Sequence, residues 1–367
     1  MEQLESRQLL TAYYIDPVNG SDSNPGTFKS PFRTAQNLSS WTADEGNETF
    51  QKLDDGDTVY LREGVHDWSA LLASNPNPEY AAWLLKDVHG KDSAPITIQA
   101  YPGEHPIVRA KVAGVEGPAI YVLQSSHVRI LGLEVTGTYG PGIRVAEATT
   151  VEIAHNYVHD VDGDQNNNIA GIYTGDVVGL HIHHNLLHDN YDHARAQIPG
   201  KDDQGNSRNI LIMGDLSDRV EVDHNKIFNT PLANGLFSGS GISIKHASEI
   251  PHARFDIHDN IVRDVYFHAI GSQASNVRVA HNLFDHAAPF TTLTGDNVTT
   301  LGLTLGGYDL EYNTWIGGAA VSVEVTEAVP ASGFMEFRNN LVVDDDPFYD
   351  AGNGIVQLDP YGSDADY

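Results

Sequence analysis

Apolar and polar positions alternate along this chain in short bursts that share one punctuation mark. Val151-Glu-Ile-Ala-His-Asn156-Tyr-Val158 sets the phrase, with apolar residues five and three before an Asn and polar residues between. Echoes run at Leu180–Leu187, Val220–Ile227, Phe255–Val262, Val277–Phe284, Tyr308–Trp315 and Met335–Val342, and Val128–Val135 opens the series with Leu133 in the Asn position. Period-two alternation is the signature of a strand with one buried face. The Asn then breaks it: a short polar side chain that tolerates left-handed backbone suits a sharp bend, and stacked amides can hydrogen-bond up a column.

A looser phrase precedes each Asn, as at Gly142-Ile-Arg-Val, Gly171-Ile-Tyr-Thr, Ile210-Leu-Ile-Met, Gly241-Ile-Ser-Ile and Ala269-Ile-Gly-Ser. Each repeat therefore reads as strand, short turn, strand, Asn bend, strand, then a loop of changing length. That is one coil of an all-β, right-handed parallel β-helix, whose coils stack about 4.8 Å apart and need neighbours to bury their inward residues. Asn260 and Asn282 are 22 residues apart, enough for one coil and little more. A sandwich or propeller is the alternative, but antiparallel hairpins would not repeat one bend at one strand offset.

Composition sharpens this picture without changing it. A solenoid lets one domain fill the 367 residues, so the expected division is a tag-like segment at 1–12 and one β-helix domain at 13–367. Fifty Asp and Glu against 21 Lys and Arg give a formal charge of −29, which disfavours nucleic acid and anionic membranes as partners. A polyanionic substrate would need a local basic patch or bound cations. There are no cysteines, so thiolate chemistry and disulfides are excluded. Leu4-Glu-Ser-Arg-Gln-Leu-Leu10 resembles the LEPRxLL tag of large secreted proteins from some aquatic bacteria, with Ser6 in place of Pro, and implies an extracellular location.

Early in the chain, Ser30 and Pro31 read as an N-cap and first-turn pair, with Phe32, Ala35 and Leu38 at helical spacing. The expectation is a short amphipathic helix capping the open end of the solenoid, with first rungs at Gly56–Arg62 and Pro95–Tyr101. Here a resemblance becomes specific. Tyr14-Ile-Asp-Pro-Val-Asn-Gly-Ser-Asp-Ser-Asn-Pro-Gly-Thr, Ser30-Pro-Phe-Arg-Thr-Ala-Gln, Gly56-Asp-Thr-Val-Tyr-Leu-Arg-Glu-Gly and Pro95-Ile-Thr-Ile-Gln-Ala-Tyr-Pro-Gly-Glu together resemble the opening of pectate-lyase-like β-helix proteins. Family 9 pectate lyases, family 6 alginate and chondroitin lyases and alginate epimerases share parts of it. With the Asn repeats the likeness spans most of the chain and implies a polysaccharide substrate.

Loop lengths then place the chemistry. The segment from each Asn to the next Gly-Ile strand varies from 9 residues (Asn260 to Ala269) to 25 (Asn185 to Ile210). Long loops on one edge of a solenoid build a binding wall, so the groove is expected beside the Gly-Ile strands of the middle coils. If Ile143, Ile172, Ile242, Ile244 and Ile270 point inward, alternation turns Arg144, Tyr173, Ser243 and Lys245 outward. Glu147, Asp176, Asp215 and His246 follow just past the strand.

Ile242-Ser-Ile-Lys245 resembles the family 6 segment that ends in a catalytic Lys, which implies Lys245 as the base that takes the proton α to a uronate carboxylate. The family's metal-binding carboxylates would fall on Ser238 and Ser240, and its Arg near Gln273, so the likeness is incomplete. Asp176 and Asp215 support a second mechanism, paired-carboxylate hydrolysis, or equally a Ca²⁺ site, with Mg²⁺ as the alternative ion. Asp160-Val-Asp162-Gly-Asp164 has the oxygen spacing of a Ca²⁺ loop, although Gln165 stands where Gly is expected and no distal Glu closes it. His193 and His268 lie on the groove edge outside the repeat, as candidate acids or substrate contacts.

The 18 His raise zinc, above all His181, His183, His184 and His188. Because the His-Asn pair recurs from coil to coil, these read as parts of the repeat rather than ligands. The expectation is a monomeric, secreted, cation-dependent polysaccharide lyase, with a glycoside hydrolase or a non-catalytic glycan-binding adhesin as the alternatives.

Overall fold

A computed structural model describes residues 11–41, 50–75, 81–163, 169–192, 207–214, 219–232, 239–247, 254–265, 268–287, 290–292, 307–317, 320–324, 335–343 and 356–359. Within them the chain winds as a parallel β-helix with three faces. The first face runs from Trp83–Lys86 through Ile120–Leu123, the first halves of Ile143–Ala154 and Ile169–His183, then Ser207–Met213, Ser240–Ala247 and Ile270–Ala274. The second face takes the second halves of the two long strands, with Ala12–Ile15, Thr58–Leu61 and Ile96–Ala100 before them and Val220–Asp223, Phe255–His258 and Val277–Ala280 after them. Ten short strands, from Gly64–Asp67 to Leu341–Val343, form the third. Every pairing between these strands is parallel, as coil-on-coil stacking demands.

The expected columns form. Ile143, Ile172, Ile210, Ile242 and Ile270 stand in register and are fully buried. Each contributes roughly 1.5–3 kcal/mol of apolar burial, which no coil could collect alone.

Asn156, Asn185, Asn225, Asn260, Asn282, Asn313 and Asn340 make the amide column. In each step the side-chain oxygen accepts the backbone N–H of the preceding Asn at 2.8–3.0 Å. The bend itself is not made as the alternation suggested. The left-handed residue is the one before each Asn: His155, His184, His224, Asp259, His281, Tyr312 and Asn339 have φ of 54–58°. The Asn supplies the ladder and its neighbour supplies the turn.

The expected capping helix is shorter than its spacing implied. Phe32 exchanges backbone hydrogen bonds with Tyr14 and Asp16 as an extended residue, and a single 3₁₀ turn follows at Gln36–Leu38. It still closes the end of the first face: Ser39 Oγ and Ser40 Oγ accept the N–H groups of Leu84 and Lys86 on the outermost strand, at 3.0 and 2.9 Å. No helix among the described residues is long and apolar enough to cross a membrane.

Candidate active site

One outward row crosses the middle of the first face, and polar groups flank it at both ends of the strands. In that row Tyr121, Arg144, Tyr173, Leu211, Ser243 and Gly271 stand one per coil. At one end of the strands Arg208 faces Ser240, and the N–H of Gly241 donates to the His268 carbonyl at 2.9 Å, which brings His268 opposite Ser240 on the far side. At the other end Met213 faces Lys245. The ladder slips between Ile244 and Ala247, so Lys245 and His246 share a bulge against Gln273. A bulge re-aims a side chain that regular pairing would hold in its row.

The floor that results is polar, cationic and shielded. Arg208 is 1% exposed, Lys245 and His268 5% each, and Ser240 and Ser243 not at all. Burial, and then the Arg208 charge, pull the Lys245 ammonium from its usual range to about 7. Burial, Arg208 and Lys245 together push the His268 imidazolium down to about 3, so this ring is neutral at ordinary pH. The hydroxyls of Ser240 and Ser243 have no hydrogen-bond partner among the described residues. Three basic side chains thus gather in an acidic protein, at a cost in desolvation and like-charge repulsion.

Two coils away, Arg144 lies between two rings, 4.6 Å from the centroid of Tyr121 and 5.2 Å from that of Tyr173. Cation–π contact on both sides fixes the guanidinium plane and leaves its edge free to meet a carboxylate.

The other expected residues are less concentrated. Asp176 sits exposed within Ile169–His183, at the bend between its two halves, with φ of 53°, and its carboxylate lies beside Gly214. A Cβ on Gly214 would fall 2.1 Å from Asp176 Oδ1, so glycine is required beside that carboxylate. Asp215, His193 and Asp164 lie outside the described residues, as does the side chain of His246. In the anticipated Ca²⁺ loop, Asp160 Oδ2 meets His159 Nδ1 at 2.7 Å while Asp162 Oδ2 meets Lys111 Nζ at 2.9 Å. Gln273, where the family 6 likeness would place an Arg, stands opposite the bulge that holds Lys245, and is buried.

Arg208 was not anticipated. Its offset, two residues before the inward Ile210, matches Ser240 before Ile242, which was the only available signal. Nothing local in Ser207-Arg-Asn-Ile210 says that the guanidinium will meet a lysine 37 residues later.

Among the described residues the charges that act on Lys245 and His268 are basic, Arg208 on the lysine and both Arg208 and Lys245 on the histidine.

Residues 97–305, more than half of the chain, match the sequence family described as the right-handed β-helix region. No curated protein matches the chain by sequence. Among solved structures, a rhamnogalacturonan lyase is similar at 16% identity, with 90% of this chain and 86% of that one covered and a TM-score of 0.55. Pectate lyase Pel9A is similar at 13% identity, with 91% and 80% covered and a TM-score of 0.57. The lacto-N-biosidase of Eubacterium ramulus, of glycoside hydrolase family 136, is similar at 14% identity, with 91% and 68% covered and a TM-score of 0.50. At such identities the likeness concerns the fold.

Proposed function

The chain belongs to the right-handed β-helix family, and from that premise we propose that it is a secreted enzyme that cleaves a uronate-containing polysaccharide by β-elimination. The observation that carries this reading is the pairing of a buried lysine near pKa 7 with a buried arginine on the floor of the first face. Support for secretion is the Leu4–Leu10 likeness alone.

Each side chain then has a role. Arg208 pairs with the uronate carboxylate and neutralises it, which makes the adjacent C5 proton more acidic and stabilises the enolate-like charge that develops. Neutral Lys245 takes that proton, the C5–H electrons form a C4–C5 double bond, and the C4–O bond breaks. The departing oxygen is protonated from water. His268, held neutral, orients the carboxylate by hydrogen bonding rather than acting as a charged acid. The orphan hydroxyls of Ser240 and Ser243 are available to the same ligand. Arg144, with Tyr121 and Tyr173, holds a second uronate further along the chain. No step is routed through Ca²⁺ or Mg²⁺.

The test is incubation of the purified protein with alginate, polygalacturonate, rhamnogalacturonan and chondroitin, followed by two readouts. β-Elimination yields reducing ends together with the ultraviolet absorbance of an unsaturated sugar, and Lys245→Ala abolishes both. Reducing ends without that absorbance would show hydrolysis, with Asp176 the first residue to substitute. Neither product on any polyuronate would sink the enzyme reading and favour a glycan-binding module.

A further inference from the structure

A second cluster lies away from that floor, at the Asn-bend end of the second face. His155 ends one coil's second-face strand, and His183 and His184 occupy the corresponding place on the next. Ligand atoms of these three side chains all fall within 4.8 Å of one another. His183 Nδ1 and His184 Nδ1 are 2.9 Å apart, while His183 Nε2 meets Glu152 Oε1 at 3.2 Å.

That last contact fixes the chemistry. An imidazole whose Nε2–H is given to a carboxylate carries its lone pair on Nδ1, and here the lone pair faces a second imidazole nitrogen. Either His184 donates across the gap or both nitrogens turn to a common cation. Two imidazole nitrogens on one zinc lie about 3.3 Å apart, a few tenths from what is observed.

The rings are also held in place. His181 stacks on His183 with centroids 4.0 Å apart, and His224 stacks on His184 at 4.7 Å and 1°. His224 is in turn held through Nδ1 by Asp223 Oδ2 at 2.6 Å. Ligands fixed by neighbours before the ion arrives are what a built site requires.

We propose that His155, His183 and His184 bind a borderline transition-metal ion of the zinc class, with Glu152 orienting His183, and that this ion staples two adjacent coils. The His-Asn repeat explains why histidine is tolerated here, since each bend needs a polar residue at positive φ. The position itself is shared, since His258 stands there two coils on and meets Glu221 at 3.1 Å as His183 meets Glu152, but among the described residues only His183 is joined by two further imidazoles with ligand atoms in reach. The proposal is independent of the chemistry on the first face.

The experiment uses the full-length chain, stripped with chelator, dialysed and titrated with Zn²⁺ by calorimetry, alongside thermal unfolding with and without Zn²⁺. One ion per chain at micromolar affinity or tighter is expected, together with a rise in the unfolding midpoint. The double variant His155→Asn, His184→Asn keeps the left-handed turns, because Asn339 adopts the same φ of 56° at the same repeat position. It should lose the midpoint rise and at least about thirtyfold in affinity, and Glu152→Gln should lose about tenfold or more. Undiminished binding in the double variant would put the ion on another triad, and absence of micromolar binding to the parent would remove the site; either overturns the assignment.

Discussion

Arg208 and Lys245 stand at opposite ends of neighbouring strands of the first face, Arg208 against Ser240 and Lys245 against Met213, both buried, and the guanidinium is the one described charge that depresses the lysine. Like charges buried in one region oppose folding. The pair therefore links the stability of the protein to its proposed chemistry in a measurable way.

Activity should follow the lysine. With Lys245 as base, kcat/KM on a polyuronate rises with pH through about 7 and then levels. In Arg208→Gln the like charge is gone, so the Lys245 ammonium loses protons less readily and the acid limb moves to higher pH, while KM rises. A limb that stays in place would remove Arg208 from the lysine's surroundings.

Stability should move the other way. A Lys whose folded pKa is depressed below its unfolded value of about 10.4 leaves stability intact at very alkaline pH. It subtracts stability progressively as pH falls towards about 7, and fully below that. Lys245→Met should thus abolish turnover yet raise the unfolding midpoint by a few degrees below pH 7, with a smaller gain at pH 10. Thermal melts across pH settle this, and a fall in midpoint below pH 7 would contradict the burial of a strained charge.

The ladder carries structure rather than chemistry. Asn225 receives the Asn185 N–H and donates to the Ile182 carbonyl and to Asn260 Oδ1, each at 2.9–3.0 Å. Asn225→Ala leaves those groups buried and unmatched, at a cost of roughly 2–5 kcal/mol by denaturant unfolding. At the preceding turn type, His281 has φ of 57°. His281→Asn should be near neutral, whereas His281→Val should cost about 1–2 kcal/mol.

Arg144 offers a cleaner separation of binding from chemistry. Because its guanidinium is sandwiched three coils from Lys245, Arg144→Ala should raise KM severalfold on polymer and leave kcat nearly unchanged. Steady-state kinetics would reveal a matched fall in kcat if Arg144 acted on the reacting sugar.

Chelation should divide the two sites. Because Lys245 and Arg208 carry the proposed elimination, chelator should leave the initial rate at moderate temperature unchanged while it lowers the unfolding midpoint set by the histidine cluster. Loss of rate restored by Ca²⁺ would return a cation to the mechanism.

The amino-acid order alone fixed the coil. Alternation, the recurring Asn and the Gly-Ile phrase are local, and each coil repeats the same local problem, so the inward isoleucines, the amide column and the outward setting of Arg144, Tyr173 and Lys245 could all be read along the chain. What stands beside what across coils could not be read that way, because coil-to-coil register depends on turns and loops whose lengths vary. Register set the Asp176 carboxylate beside Gly214, and an irregular ladder after Ile244 set Lys245 and Gln273 on opposite sides of one bulge, neither of which any local pattern announced. The histidines show the same division: their spacing is a repeat, but only stacking of coils brings His155 against His183 and His184. Strands are specified by residues near in sequence, whereas charge, burial and ligand geometry arise between residues tens of positions apart, where folding decides the distance.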